Sequence, residues 1–156
     1  MMFALSYRML GNYEDAEDVA QESLVRAIRA LDRWDPTRPM KPWLLTITAN
    51  RCRTALMKRT KKPPPSHYPR EPGAIDQNPG RLDLAEELDR ALQELQPDHR
   101  ECFLLFHEHD LNCAEVGEVL GHPEGTIKTW LHRTRKKLAE ILRQRGVVPE
   151  ISYELP

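Results

Sequence analysis

The sequence lacks any apolar run long enough to cross a membrane, and it has few cysteines. No stretch of its 156 residues approaches the roughly 18 consecutive apolar residues that a membrane helix needs. Its first residues, MMFALSYRML, have neither the basic start nor the small-residue cleavage site of a signal peptide. The three cysteines stand at irregular spacing, which does not indicate a disulfide framework. We therefore expect a cytoplasmic protein without membrane insertion.

Strand-like alternation and the motifs of common enzyme active sites are also missing. We find no nucleophile elbow, no phosphate-binding loop and no recognisable pattern of paired carboxylates, and the six histidines are scattered. Apolar residues recur instead at the spacing of helices. The sequence predicts an all-α protein that is not an enzyme and that needs neither a cofactor nor a metal.

The formal net charge of −1 conceals a strong segregation of charge. Residues 46–62 contain six cations and no acid, residues 83–122 are heavily acidic, and residues 123–145 are basic again. Two basic blocks in an acidic chain suggest two separate contacts with a polyanion, because each contact would release counterions. A solvated helix face remains the alternative for any single run of charge.

A proline-rich segment divides the chain into two helical units. Residues 63–80 hold six of the thirteen prolines and two glycines, a composition typical of an extended or flexible linker. We therefore expect two small helical domains at residues 1–62 and 83–145, a linker at 63–82 and a tail at 146–156. Each unit has about 60 residues, a size at which a core of its own is marginal.

In the first unit the pattern predicts three helices. A short helix should end at Gly11, and a second should end at Asp35-Pro36, because the residue before proline is disfavoured in a helix. A loop with three prolines then leads to the third helix. The apolar positions expected in the second helix are Ala16, Val19, Ala20, Leu24, Ala27, Ile28 and Leu31. Those expected along one side of the third are Trp43, Ile47, Cys52 and Leu56.

In the second unit the pattern predicts a helix-turn-helix. Asn112 and Glu115 have the spacing of a capping box, Gly121 suits a left-handed helix end, and Pro123 fits the first turn of the last helix. The stripe expected to pack inward is Ile127, Leu131, Thr134 and Leu138. The face expected to point outward is Thr129, His132, Arg133 and Lys136, with Lys128 at its edge. These donors suit phosphates and base edges, so the last helix is predicted to bind DNA.

Both units resemble parts of one bacterial family. The first unit resembles conserved region 2 of sigma factors of the extracytoplasmic-function group, through YRMLGNYEDAEDVAQESLVRAIRALDRWDP and WLLTITANRCRTALMKR. The second resembles their region 4, through ALQELQPDHRECFLLFHEHDLNCAEVGEVLGHPEGTIKTWLHRTRKKL. The resemblance implies a factor that binds core RNA polymerase and directs promoter-specific transcription initiation. It also implies an anti-sigma factor as a partner.

The resemblance further implies which residues make each contact. Region 2 would dock on the clamp helices of the polymerase's largest subunit through Asp18, Gln21 and Glu22. It would also melt the promoter's −10 element and hold the non-template strand. For that strand, Asn50 would hold a flipped base beside Trp34, and the phosphates would lie along Arg51, Arg53, Lys58 and Arg59. Trp43 is expected in the core.

Region 4 would read the −35 element as duplex DNA. The matching positions are Lys128, Thr129, Trp130, His132 and Arg133. Trp130 departs from the family, which usually has a cation or a small polar residue there, and its place beside the inward stripe favours half-buried packing over base contact.

Two other readings stay open from the residues alone. A conventional helix-turn-helix regulator that does not bind core polymerase would have the same second unit. A metal-sensing module could use Cys102, His107, His109 and Cys113, although their spacing matches no standard zinc pattern.

Overall fold

Seven α-helices and one short 3-10 turn form the described part of the protein. The computed structural model describes residues 1–59 and 79–147, with side chains from Leu84 onward in the second stretch. The elements are α1 (Met2–Leu10), α2 (Tyr13–Arg29), a 3-10 turn (Leu31–Arg33), α3 (Met40–Arg59), α4 (Pro79–Gln93), α5 (Pro97–His107), α6 (Cys113–Leu120) and α7 (Glu124–Gln144). These residues contain no strand, which confirms the all-α prediction. None of the helices described is long and apolar enough to cross a membrane.

Local signals in the sequence set the ends of α1 and α6. Gly11 ends α1 at a φ of 74°, and Gly121 ends α6 at a φ of 73°, a backbone region that glycine enters without steric cost. At the start of α6, the Asn112 side chain accepts hydrogen bonds from the amides of Ala114 and Glu115. The Glu115 carboxylate accepts the Asn112 amide at 2.9 Å. The predicted capping box is therefore confirmed.

Helix α2 is shorter than predicted, and several of its apolar side chains are exposed. It ends at Arg29, six residues before the expected stop at Asp35-Pro36, and the 3-10 turn follows. Its buried residues are Ala16, Val19, Ser23 and Ala27. Leu24, Ile28 and Leu31 follow the same helical spacing, yet they are exposed. The buried face is narrow and lined with small side chains, so α2 packs closely on α1 and α3 and leaves its larger apolar side chains outside.

Helix α3 also turns a different side to the core. Its buried residues are Pro42, Leu45, Thr48, Ala49 and Cys52. Of the side predicted from the sequence only Cys52 is fully buried, whereas Trp43, Ile47 and Leu56 are half-buried. The expectation of a core position for Trp43 was therefore wrong.

The two units share one hydrophobic core. Buried residues of α1 and α3, such as Leu5 and Leu45, belong to the same cluster as Leu104 of α5 and Val116 of α6. Helix α1 packs against α5, and α3 packs against α6. A unit of about 60 residues buries a smaller fraction of its surface than a larger domain does, so joining the cores increases the burial available to both. From the sequence we expected two domains joined only by a linker.

The first helix after the proline-rich segment begins before residue 83, and the predicted domain boundary itself stays a prediction. Helix α4 begins at Pro79, within the predicted linker at 63–82. A proline is compatible with the first turn of a helix because the missing N–H has no partner there in any case. The rest of that linker and tail residues 148–156 lie outside the described residues.

Candidate functional site

Helix α7 presents one polar face to solvent. Ile127, Leu131, Thr134 and Leu138 are buried, which confirms the inward stripe predicted from the sequence. The residues opposite are all exposed: Lys128, Thr129, His132, Arg133 and Lys136. Lys128 forms an exposed ion pair with Glu124 at 2.7 Å, and this partner raises the pKa of its amine. The face therefore offers ammonium, guanidinium, imidazole and hydroxyl donors along about two turns of helix.

A close backbone contact holds α7 against α6. The His122 amide donates to the Gly117 carbonyl at 2.9 Å, and a Cβ on Gly117 would lie 2.6 Å from the His122 carbonyl oxygen. Only glycine fits at this approach. Pro123 stands at the N-cap, and α7 begins at Glu124, so the expectation that Pro123 lies in the first turn was wrong by one position.

Trp130 packs beside this face rather than projecting from it. Its ring lies 4.7 Å from that of His122 and 5.2 Å from that of His99, between centroids. It is half-buried, as expected. Contact between Trp130 and a base stays a prediction.

The loop before α3 forms a cleft with two tryptophans. The ring centroids of Trp34 and Trp43 lie 6.5 Å apart at an interplanar angle of 40°. The Asp35 carboxylate accepts the Thr37 amide at 2.9 Å and its hydroxyl at 2.7 Å, which lowers the pKa of Asp35 and fixes the turn. We call the space of about 660 Å³ beside them the Trp34–Trp43 cleft. Its lining is Arg33, Trp34, Asp35, Arg38, Pro39, Pro42, Trp43, Thr46, Glu115 and Glu118.

One polar atom in this cleft has no partner within the described residues. The indole N–H of Trp34 is buried and makes no hydrogen bond there. Buried donors normally have acceptors, because an unsatisfied group costs about 1–3 kcal/mol. Trp34 and Trp43 line the cleft as an aromatic pair, which suits a flat ligand.

Three of the four cations expected along a DNA strand contact protein groups instead. Arg51 pairs with Glu22 of α2, and Arg59 pairs with Asp15 and the Leu10 carbonyl. Arg53 binds both carboxylate oxygens of Glu101 in the second unit, at 2.9 and 2.6 Å. Lys58 and Asn50 are exposed, and the Asn50 side-chain oxygen accepts a hydrogen bond from Arg53 at 2.8 Å. Whether these residues contact DNA stays a prediction.

Glu101 is the acidic partner that burial affects most. Only 2% of its surface is exposed. Burial raises the pKa of its carboxyl, and the Arg53 guanidinium opposes that rise. A buried carboxylate depends on such a partner, because an unpaired charge would carry the full cost of desolvation.

Helix α2 carries an exposed stripe that is polar at one end and apolar at the other. Asp18, Gln21 and Glu22, the residues expected to bind polymerase, are all exposed. The hydrogen bond and charge of Arg51 lower the pKa of Glu22. The apolar continuation consists of Leu24, Val25, Ile28 and Leu31, with Ile28 64% exposed. We call these seven residues the α2 stripe.

The sequence prediction missed the apolar half of the α2 stripe. Leu24, Ile28 and Leu31 were expected only as apolar positions of the helix, and helical spacing does not distinguish an exposed apolar stripe from a buried one. Exposed apolar side chains in a continuous patch commonly mark a protein-binding surface.

The four candidate metal ligands are not assembled for that role. Among the described residues no group of three or more histidines, cysteines or acids could hold a metal ion. Burial raises the pKa of the Cys102 thiol to about 12, and the His107 ring accepts a hydrogen bond from Arg135 at 3.3 Å. The structure thus offers no support for the metal-sensing alternative.

Two family models match the chain, one for each unit. Sigma-70 region 2 matches residues 1–62, and Sigma-70 region 4 matches residues 85–138. The first therefore covers α1 to α3, and the second covers the helix-turn-helix.

Individual relatives match over most of the chain. The chain is 30% identical to the ECF RNA polymerase sigma factor SigW of Bacillus subtilis, over 91% of its own length and 83% of that protein. It is 32% identical to the ECF RNA polymerase sigma factor SigE of Mycolicibacterium smegmatis, over 93% of its own length and 58% of that protein.

A solved structure shares the fold. It is the sigma factor RpoE in complex with the anti-sigma factor NepR from Bartonella quintana, at 24% identity and a TM-score of 0.75, over 91% of this chain and 89% of that one.

Proposed function

The chain belongs to the extracytoplasmic-function RNA polymerase sigma factors, and from this premise we propose how its two units divide the work. As a member of this family it binds core RNA polymerase and directs it to promoters. Our proposal concerns the residues that make each contact. It also holds that the chain acts in the cytoplasm by binding alone, without catalysing a reaction.

The exposed face of α7 is proposed to read the −35 element. This assignment rests on the burial pattern of the helix. Four inward positions are buried, and the basic and polar positions on the opposite face are exposed. A helix of this kind enters the major groove, where Arg133 can bind a guanine edge and Lys128 or Lys136 can bind phosphates. The contact between Gly117 and His122 holds the helix at a defined angle to α6.

The first unit is proposed to hold the melted strand of the −10 element. The Trp34–Trp43 cleft provides a ring on which a flipped base can stack. Asn50 stands exposed on α3 with an amide that can both donate and accept. Arg51 and Arg53 would follow the phosphates after leaving Glu22 and Glu101, and exposed Lys58 would join them. Arg59 fits least well, because it joins α3 to α1 and α2.

The α2 stripe is proposed to dock on the polymerase. Its carboxylates give orientation and rapid association with a basic groove, while its apolar half supplies the buried area that a stable contact needs. An anti-sigma factor is a proposed partner as well, by analogy with the sigma factor of Bartonella quintana whose complex shares this fold.

The proposed division can be tested with one variant in each unit. Arg133→Ala should lower initiation about 10- to 100-fold on a duplex promoter, because one base contact is worth about 1–3 kcal/mol. Asn50→Ala should leave duplex binding unchanged and slow strand opening. Both should bind core polymerase like wild type. The measurements are run-off transcription, and permanganate reactivity of the −10 element, in reconstituted holoenzyme.

Arg143→Ala is the matched control, because Arg143 is an exposed arginine in the last turn of the same helix. It should initiate at the wild-type level. If Arg133→Ala and Asn50→Ala both open and transcribe the promoter like wild type, the assigned roles are wrong.

A further inference from the structure

We propose that His122, held on the ring of Trp130, contacts a phosphate of the duplex at the edge of the −35 element. The inference rests on the proposed function of α7 and deepens it. It adds a contact residue outside the exposed face of that helix, and it makes Trp130 a positioning residue that acts through His122.

The backbone of His122 is fixed in the turn between α6 and α7. Its amide donates to the Gly117 carbonyl at 2.9 Å, and its own carbonyl oxygen would lie 2.6 Å from a Cβ at Gly117. His122 stands two residues before α7 begins at Glu124. The residue is therefore held in a defined place beside the start of the helix that is proposed to enter the major groove.

The side chain of His122 is exposed, yet an aromatic contact orients it. Its ring centroid lies 4.7 Å from that of Trp130, at an interplanar angle of 60°. The ring of His99, on α5, lies 5.2 Å from the same indole at 48°. Tilted rings at these distances attract each other. Trp130 is half-buried and contacts both imidazoles, so it forms a platform that limits the conformations of the His122 ring.

The His122 ring has nitrogen atoms available for a ligand. Among the described residues, His122 has only its backbone hydrogen bond and the ring contact with Trp130. A neutral imidazole carries one N–H and a protonated imidazole carries two, so the ring can donate to a phosphate oxygen in either state. Glu124, the acid nearest in sequence, pairs with Lys128 at 2.7 Å, which balances its charge.

The position of Trp130 on α7 places His122 beside the wall of the groove. Trp130 follows Thr129 of the exposed face and lies about 100° further around the helix. A helix with its side chains is about 10–12 Å across, and the major groove is about 12 Å wide. When the exposed face points at the base edges, the flanks of the helix therefore lie beside the phosphates. His122, on its Trp130 platform, occupies one of these flanks.

Substitutions at His122 test the contact in reconstituted holoenzyme bound to a duplex promoter. His122→Ala should raise the dissociation constant about 3- to 10-fold, the range expected for one hydrogen bond. Its unfolding midpoint should stay near that of wild type, because the side chain is exposed. His122→Gln keeps an N–H donor and should recover part of the loss. His107→Ala is the matched control, because it removes another exposed histidine ring that contacts an aromatic ring, Phe103, and it should bind like wild type.

A scan of the promoter backbone then identifies the phosphate. Uncharged methylphosphonate groups replace the phosphates of the −35 element and its flanks one at a time. At one position the replacement should weaken wild type about 3- to 10-fold and His122→Ala hardly at all, because that variant has already lost the contact. The other positions should affect the two proteins equally. A purely structural role for His122 would produce no such position.

Variants of Trp130 separate positioning from direct contact. Trp130→Leu should lose as much affinity as His122→Ala, and the double variant should lose no more than either, because all three remove the same contact. Trp130→Phe keeps an aromatic ring and should retain most of the affinity. If Trp130→Leu fails to fold, the methylphosphonate scan with His122→Ala still decides whether the contact exists.

Two outcomes would overturn the proposed contact. One is that His122→Ala binds the promoter as tightly as wild type and His107→Ala. The other is that no single methylphosphonate distinguishes His122→Ala from wild type. Additive losses for His122→Ala and Trp130→Leu would overturn the positioning role of Trp130. A failure of the proposed function is distinguishable, because Arg133→Ala would then also bind the promoter like wild type.

Discussion

Helices α3 and α7 both carry a basic run, but the structure uses the two runs differently. In α7 the cations expected to bind DNA point to solvent. In α3, Arg51, Arg53 and Arg59 each hold a carboxylate of another helix. A run of positive charge in a sequence therefore does not reveal whether its side chains are free to bind a ligand.

The difference arises from the range of the interactions. The exposed face of α7 follows from helical periodicity and from packing within its own unit, which short-range patterns predict. The carboxylate partners of the α3 arginines are 29 to 48 residues distant in sequence. No local pattern identifies such a partner, because it depends on how the helices pack.

Acid should lower the stability of the fold through one buried histidine. His109 is buried in the turn after α5, and burial, assisted by Lys41 and the N-terminal amine, lowers its pKa to about 4. Because the unfolded chain takes up this proton near pH 6.5, the stability associated with neutral His109 is present above that pH and is lost as pH falls towards 4. The loss amounts to about 3 kcal/mol.

The check is urea unfolding of wild type and His109→Gln between pH 8 and pH 4. The variant should lack this part of the pH dependence. The contribution of Glu101 has the opposite sign, because the pKa of that carboxyl is raised, and it is common to both proteins and cancels in the difference. Parallel pH curves for the two proteins would contradict the prediction.

The DNA-binding face of α7 can be altered through the backbone contact between Gly117 and His122. Gly117→Ala should lower the free energy of unfolding by about 2 kcal/mol and weaken duplex binding, because the new Cβ would press on the His122 carbonyl. Gly125→Ala is a matched comparison, because Gly125 has open space around its Cβ position and lies in the first turn of α7. It should leave stability equal or higher by up to about 1 kcal/mol. Thermal or urea unfolding measures both variants. If both lose the same free energy of unfolding, the close approach at Gly117 does not stabilise the fold, and the prediction is wrong.

The smallest expected effect is a loss of affinity for core polymerase when the apolar half of the α2 stripe is changed. Ile28→Asp should weaken core polymerase binding about tenfold, since it places a charge within an apolar docking surface, and should leave the unfolding midpoint nearly unchanged because Ile28 is exposed. Leu84→Asp, at an exposed leucine of α4, should bind like wild type. Fluorescence anisotropy against purified core enzyme measures both, and an Ile28→Asp affinity equal to that of Leu84→Asp would exclude the apolar half of the stripe from the contact.

Much of the fold could be predicted from the sequence because its signals are local. The helix ends at Gly11 and Gly121, the capping box at Asn112 and the inward stripe of α7 all depend on neighbours within one or two turns. The family resemblance, which the comparisons confirm, came from the order of such local segments. It also separates this chain from a conventional helix-turn-helix regulator, because the first unit matches sigma region 2.

The remaining features depend on packing between distant segments. Leu24, Ile28 and Leu31 have the spacing of a core stripe, yet they lie outside because α2 packs by small side chains. Trp43 has the size of a core residue, yet it lines a cleft because the loop before α3 brings Trp34 beside it. The shared core of the two units could not be anticipated either, because the linker composition indicates only a tether.

Association with core RNA polymerase tests the account most directly. The purified full-length chain should bind core enzyme, and the resulting holoenzyme should start transcripts at defined promoters in a run-off assay across a promoter library. Core enzyme alone should not. If the chain binds duplex DNA but neither associates with core enzyme nor changes where transcripts start, the account is contradicted.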